Sequence, residues 1–271
     1  MKKVLILVSI LSITLSSHAQ LLKKVQRKME NKIEKSVDDL LNSKDQGQQP
    51  NAGNTGAANT SGTFDIQTKS EPFLAGNVLI FEDRLDDDIP GRMAKYWQTN
   101  STGSVVEIKG VAGKWLKLAD QASYQLDTLL HLPQKFTLEF DLLTRADQAS
   151  DLRSIDFGFS KNNSTRKYIY GTSNETNVYT SLQYYYETIN TTSNNNNNKS
   201  RIEFPLSNYA NAIMHVSVSV DGSRMQVYID EHKVLDATVL DPSAPKHFFL
   251  STEKYRNNAT ALISNLRIYG F

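Results

Sequence analysis

The chain has 271 residues, with 29 acidic side chains against 30 basic ones and a formal net charge of +1. A surface so balanced carries no overall field that would draw nucleic acid or a polyanion. The absence of cysteine removes thiolate zinc sites, iron–sulfur clusters and cysteine nucleophiles, and a domain of this size buries enough apolar surface to fold without disulfides.

Lys2 and Lys3 precede an apolar run from Val4 to Leu15, followed by Ser16-Ser17-His18-Ala19. That order of basic, apolar and small residues predicts a signal peptide over 1–19, cleaved after Ala19. The apolar run is shorter than the roughly 20 residues of a bilayer span. No later run is apolar enough for one, so the mature chain is expected to have no transmembrane span. It is expected to be exported, to the periplasm, the cell surface or the medium.

Over residues 20–43 the period changes. Leu22, Val25, Met29, Ile33, Val37 and Leu40 recur at spacings of three and four, which makes one apolar stripe of an amphipathic helix. The other face carries six basic and four acidic side chains. A lone helix of this length is marginal in water. Three readings stay open: self-association as a short coiled coil, contact with a membrane surface through the basic half, or a frayed lead-out from the export signal. Residues 44–73 are mostly Gln, Asn, Gly, Ser, Thr and Ala. They bury too little to offset their ordering entropy and read as a flexible polar linker.

From residue 74 to 271 the pattern is strand after strand. Val78–Phe81, Tyr96-Trp97, Val105–Ile108 and Trp115–Leu118 are short apolar runs separated by turn residues. Phe136, Leu138, Phe140 and Leu142 alternate with Thr137, Glu139 and Asp141, the period-two mark of a strand with one buried face. Ile155, Phe157 and Phe159 repeat it, with Tyr168 and Tyr170 read as a continuation, and Asn194–Asn198 reads as a solvated loop. Met214, Val216, Val218 and Val220 form another such strand, turned at Asp221-Gly222 into Met225, Val227 and Ile229. Phe248 with Leu250, then Leu262, Leu266 and Ile268, mark the last two strands. Counting back by twos from Phe271 gives Tyr269, Arg267, Asn265 and Ile263, which is no lipid-facing surface, so an outer-membrane barrel is not expected. The fold class predicted is all-β, a two-sheet antiparallel sandwich.

Three pieces carry a resemblance: Ile80-Phe81-Glu82-Asp83 through to Trp97, the strand Phe136-Thr137-Leu138-Glu139-Phe140-Asp141, and the hairpin Val218–Asp230 closed by Ile263–Tyr269. Together they resemble the concanavalin A-like lectin/glucanase superfamily, including its laminin-G-like jelly rolls, over roughly residues 75–271. The resemblance implies a jelly-roll sandwich and a non-catalytic module that binds a glycan or another cell-envelope component. Its alternatives are a structural envelope protein and a glycoside hydrolase.

Three groups of residues are candidates for chemistry. Glu139 and Asp141 match the first two acids of the Glu-x-Asp-x-Glu strand of the superfamily's hydrolases, but Leu143 stands in the third place. Retaining hydrolysis needs a second carboxyl as acid/base, so the bland reading is a solvated strand face. In the cluster Tyr168, Tyr170, Tyr179, Tyr184, Tyr185 and Tyr186, rings could meet a sugar or a peptide, with Tyr168 and Tyr170, and Tyr184 and Tyr186, on common faces by alternation; the alternative is ordinary cross-strand packing. Asp83, Asp86, Asp87 and Asp88 form an acidic loop where the resemblance suggests a structural Ca²⁺, against a solvated turn. No other cofactor is implied. The five histidines, His18, His131, His215, His232 and His247, show no metal-ligand spacing.

Overall fold

The computed structural model describes residues 71–271, so the signal peptide at 1–19, the helix at 20–43 and the linker up to residue 70 lie outside the described residues. The described chain runs through β1 (Val78–Asp83), β2 (Trp97–Thr99), β3 (Gly103–Glu107), β4 (Lys114–Leu118), β5 (Ser123–Leu126), β6 (Lys135–Arg145), β7 (Ser154–Ser160) and β8 (Thr176–Gln183). It continues through β9 (Thr188–Ser193), β10 (Lys199–Glu203), β11 (Ile213–Asp221), β12 (Arg224–Ile229), β13 (His232–Thr238), β14 (His247–Thr252) and β15 (Thr260–Gly270). Two 3-10 turns, Ala149–Leu152 and Leu206–Tyr209, are the only helical pieces among the described residues. No helix there is long and apolar enough to cross a membrane.

One antiparallel sheet has the order β13-β12-β11-β6-β15-β4-β3, and β1 also pairs with β15. Along its free side, β15 pairs first with β4 through Ala261–Ile263 and then with β1 through Leu266–Gly270. The second sheet runs β10-β9-β8-β7-β14-β5-β2. The two form the predicted jelly-roll sandwich.

Alternation on β6 sends Phe136, Leu138, Phe140 and Leu142 into the space between the sheets, where all four are fully buried. Phe136 meets Phe159 edge-on at 5.6 Å, and Phe140 meets Phe157 at 5.5 Å and Phe248 at 5.6 Å. Each such ring contributes roughly 1.5–3 kcal/mol by leaving water.

Two devices hold the eight-stranded sheet in register. Asp230 and Glu231, at φ 44° and 73°, make a two-residue primed turn between β12 and β13. Asn265, at φ 56°, sits in a bulge of β15, where the pairs Ser264↔Asp141 and Arg267↔Glu139 are separated by one extra residue. The bulge corrects the count by twos from Phe271: it returns Ile263 to the core, 1% exposed, and puts Ser264 in the outward row with Arg267.

The seven-stranded sheet departs from the sequence reading in three places. β5 is a strand although it reads Ser-Tyr-Gln-Leu, and all four residues are buried. Tyr168 and Tyr170 lie in the β7–β8 connection (161–175), not on a strand. The Asn-rich stretch is the tip of a hairpin between β9 and β10, and Asn194 is half-buried. Its amide donates to the carbonyls of Gly171, Ser173 and Thr176 at 3.0, 3.1 and 3.0 Å, tying that connection to the sheet.

Candidate functional site

The acidic loop after β1 spends two of its four carboxylates on N–H groups of the chain. Asp83 is buried, and its carboxylate accepts from the Trp97 indole at 2.8 Å and the Leu85 amide at 2.9 Å. Burial pushes its pKa up, and those two hydrogen bonds only partly offset the push. Asp88 accepts from the Lys95 amide at 2.7 Å, while Asp86 and Asp87 are exposed. The Lys114 ammonium donates to the Asp86 and Asp88 carbonyls, both at 2.7 Å, so a side-chain cation gathers the loop's oxygens. Among the described residues no three His, Asp or Glu side chains are placed to hold an ion. At Asp83, Asp86, Asp87 and Asp88, where Ca²⁺ is expected, two of the four carboxylates cap backbone and indole N–H groups.

Glu139 and Asp141 do share the outward face of β6, but they are not a solvated strand face. Pairing with β11 sets His215 opposite Asp141. Its ring takes Asp141 Oδ1 at 2.6 Å on Nδ1 and Glu139 Oε2 at 3.2 Å on Nε2. The β15 bulge brings Asn265 Nδ2 to the other Asp141 oxygen at 2.6 Å, and Arg267 Nη2 lies 3.9 Å from Glu139. Hydrogen bonds to Asp141 and Glu139, aided by their charges, raise the His215 pKa from 6.5 to about 9 against the pull of burial. Burial alone would raise Asp141, but His215, Asn265 and Arg267 together hold it below the usual carboxylate range. At neutral pH His215 is therefore an imidazolium, set between the side chains of Asp141 and Glu139. Both acids are engaged, and neither stands free to protonate a glycosidic oxygen.

The tyrosines divide. Tyr184 is in the core, 1% exposed, because the chain turns immediately after β8 and the strand alternation stops. It does not share a face with Tyr186, which is 63% exposed. Tyr168 and Tyr170 do stack, at 6.2 Å and 25° between planes. Tyr168 is pinned by its hydroxyl donating to the Thr252 carbonyl at 3.0 Å, and Tyr170 is exposed.

Tyr186 belongs to an open cleft of about 490 Å³ at one end of the seven-stranded sheet. Its neighbour Tyr185, equally exposed, stands edge-on to it at 4.9 Å. The start of β7 supplies Arg153 and Ser154, the end of β8 supplies Gln183, and the segment after β14 supplies Glu253 and Arg256. Arg153, at φ 61°, accepts the Tyr184 amide on its carbonyl at 3.0 Å, which ties the two sides of the cleft together. Its Nε lies 3.7 Å from Glu253 Oε2. Exposed rings beside guanidinium, carboxylate and amide groups can stack on a sugar face while donating to and accepting from its hydroxyls.

Sequence reading missed His215 and the cleft's Arg153, Gln183, Glu253 and Arg256. For His215 a signal existed: His215, Ser217 and Ser219 are the outward row of a strand that pairs with Thr137, Glu139 and Asp141. The cleft residues come from three distant parts of the chain, and no local pattern joins them.

No family model matches this chain, and no curated protein does. Solved structures resemble it in fold. The carbohydrate recognition domain of Emp47p aligns over 69% of this chain and 93% of its own length, at 13% identity and a TM-score of 0.50. A carbohydrate-binding module, CBM66 from Bacillus subtilis, aligns over 67% and 99%, at 14% identity and a TM-score of 0.43. A galectin-like protein of unknown function, also from Bacillus subtilis, aligns over 72% and 97%, at 12% identity and a TM-score of 0.47. The Emp47p domain shares the β-sandwich fold with this chain.

Proposed function

We propose that this protein is an exported, non-catalytic carbohydrate-binding module whose ligand site is the cleft around Tyr185 and Tyr186. The observation that carries the reading is two large rings, 58% and 63% exposed, held edge-on at the rim of a polar cleft. Exposed aromatic area costs solubility unless something covers it, and a sugar's apolar face suits a ring while its hydroxyls suit the cleft's polar groups. The Emp47p domain, a carbohydrate recognition domain, is built on the same fold. The basic and apolar leader at 1–19 supports export, and a cell-envelope glycan is the partner that such a location offers. Residues 74–271 form the binding domain in this reading, with the helix at 20–43 left for self-association or a membrane surface.

A glycan array probed with the full chain tests it, with and without Ca²⁺. Retention of a glycan that Tyr186→Ala weakens by about tenfold or more, the loss expected from removing one good ring contact, supports the module. Tyr184→Ala serves as the contrast, because it empties a core position and lowers stability instead. A folded protein that retains no glycan, or retains one equally well after Tyr185→Ala and Tyr186→Ala together, overturns the proposal.

A further inference from the structure

Arg256 lines the tyrosine cleft and also a second, larger cleft of about 720 Å³ beside it. The second cleft is walled by the β4–β5 connection, the end of β6 and the β14–β15 connection, three pieces that meet at the same end of the sandwich. It adds the cations Lys117 and Arg145 and the carboxylates Asp120 and Asp147. Across both clefts four cations, with Arg153 and Arg256, face three carboxylates, with Glu253. The cations are unevenly used. Arg153 is spent on Glu253, whereas Arg256, Arg145 and Lys117 enter no ion pair among the described residues. The Arg256 backbone is fixed, its amide donating to the Asp151 carbonyl at 2.9 Å and its carbonyl accepting from the Ala259 amide at 2.8 Å, while its side chain is exposed. A positioned backbone carrying an unpaired guanidinium at the junction of two clefts is arranged to meet something outside the chain.

We infer that the binding site runs through Arg256 from the tyrosine cleft into the second cleft and takes a carboxylate-bearing oligosaccharide, a uronate-type glycan of two or more units. The inference rests on the carbohydrate-binding reading and adds the ligand's charge and length. A planar guanidinium presents parallel N–H donors that match a carboxylate's two oxygens, a pairing stronger than any it makes with a neutral hydroxyl. One sugar stacks on the Tyr186 ring and meets Tyr185, which stands at 86° to it, with its edge. Its carboxylate, or that of the next unit, lies on Arg256, and the chain continues past Arg145. Asp120 and Asp147 accept hydrogen bonds from sugar hydroxyls there and keep a polyanion without hydroxyls from binding as well.

The test is an array of matched pairs, each uronate-bearing oligosaccharide printed beside its carboxyl-reduced form, probed with the full chain and with Arg256→Ala, Arg256→Lys and Arg145→Ala. The expected result has three parts. Uronate forms are retained over their reduced partners. Arg256→Ala weakens them by at least about tenfold, the ratio a charge-assisted hydrogen bond is worth, with Arg256→Lys in between. Arg145→Ala weakens tetrasaccharides more than disaccharides. Retention of both members of each pair alike, or only of the reduced forms, overturns the inference and leaves the carbohydrate-binding reading standing. Retention of uronates unaffected by Arg256→Ala also overturns it, by moving the charge recognition elsewhere. Retention of nothing by a folded chain overturns both. No contact of the Arg256 side chain holds the fold, so Arg256→Ala is expected to fold as the parent does.

Discussion

The His215 triad gives the sharpest physical prediction, because its proton is held by geometry rather than by sequence neighbours. Glu139 and Asp141 face the imidazole from β6, Arg267 and Asn265 approach the same acids from β15, and Asp230 accepts the His215 amide at 2.8 Å. Folding raises the His215 pKa from 6.5 to about 9, so the folded state binds this proton more tightly than the unfolded chain does. The stabilisation is complete below pH 6.5 and is lost as pH rises through about 9. The full shift corresponds to about 3 kcal/mol. The ring is 34% exposed, and solvent screening reduces the expected loss to about 1–2 kcal/mol. Urea unfolding at pH 6.5 and at pH 9.5 measures it, and starting at 6.5 avoids the opposite trend of His247, whose pKa burial lowers. His215→Gln should be less stable than the parent at pH 6.5, since it leaves two carboxylates facing each other, and should show little slope across the window. A parent whose stability is flat from pH 6.5 to 9.5, or a variant with the parent's slope, refutes the charged triad.

Burial raises the Asp156 pKa from 3.8 to about 6, a shift that hydrogen bonds from Ser181 and Gly171 reduce and Glu253 increases, and Asp156 Oδ1 is shut away from water without a partner. That raised value means stability is lost as pH climbs from about 4 through 6. Asp156→Asn should therefore stabilise the protein by about 2 kcal/mol at pH 8 and by nothing at pH 4, in denaturant titrations at the two pH values. Phe140→Ala removes a ring that packs on Phe157 and Phe248. It should cost about 3–5 kcal/mol in the same assay. At Gly171 a side-chain carbon would be driven into the Tyr179 ring. Gly171→Ala should lift the 161–175 segment, seen as faster hydrogen exchange at the Ile169 amide, which donates to Ser123 Oγ at 2.7 Å.

The eight-stranded sheet was legible because its strands obey a simple rule. β6, β11 and β12 put large apolar side chains on one face and polar ones on the other, so alternation alone located them. The seven-stranded sheet breaks that rule. β5 and β8 bury Ser123, Gln125, Thr180 and Ser181, and these polar groups find one another instead of water. Gln125 Nε2 donates to Ser160 Oγ at 2.7 Å, Ser123 and Ser251 hydroxyls meet at 2.8 Å, and Thr180 meets Thr191 at 2.9 Å. Hydropathy scores such residues as surface, because burial of a paired hydroxyl depends on a partner far away in sequence. The same limit hid the cleft. Tyrosine clustering marked the segment after β8, but which ring is exposed was decided by where β8 ends, and that turn has no Gly, Pro or Asn-Gly to mark it.

What each surface offers a ligand follows from how its charges are spent. The outward acids of β6 are the residues that the superfamily resemblance singled out, and a histidine, an asparagine and an arginine from two other strands take them up. Such a patch is closed chemically even where solvent reaches it, since a ligand would have to break charge-assisted hydrogen bonds before making its own. The acidic loop after β1 is closed in the same way by Lys114 and Trp97. At the end of the seven-stranded sheet the balance runs the other way: two rings stand out from the surface, and a guanidinium anchored only through its backbone lies between two clefts. Fold likeness cannot choose among these surfaces, because one sandwich serves many functions. The choice comes from the unspent groups, and those lie on the connections that meet at one end of a rigid sheet, where variable loops are most easily turned to binding.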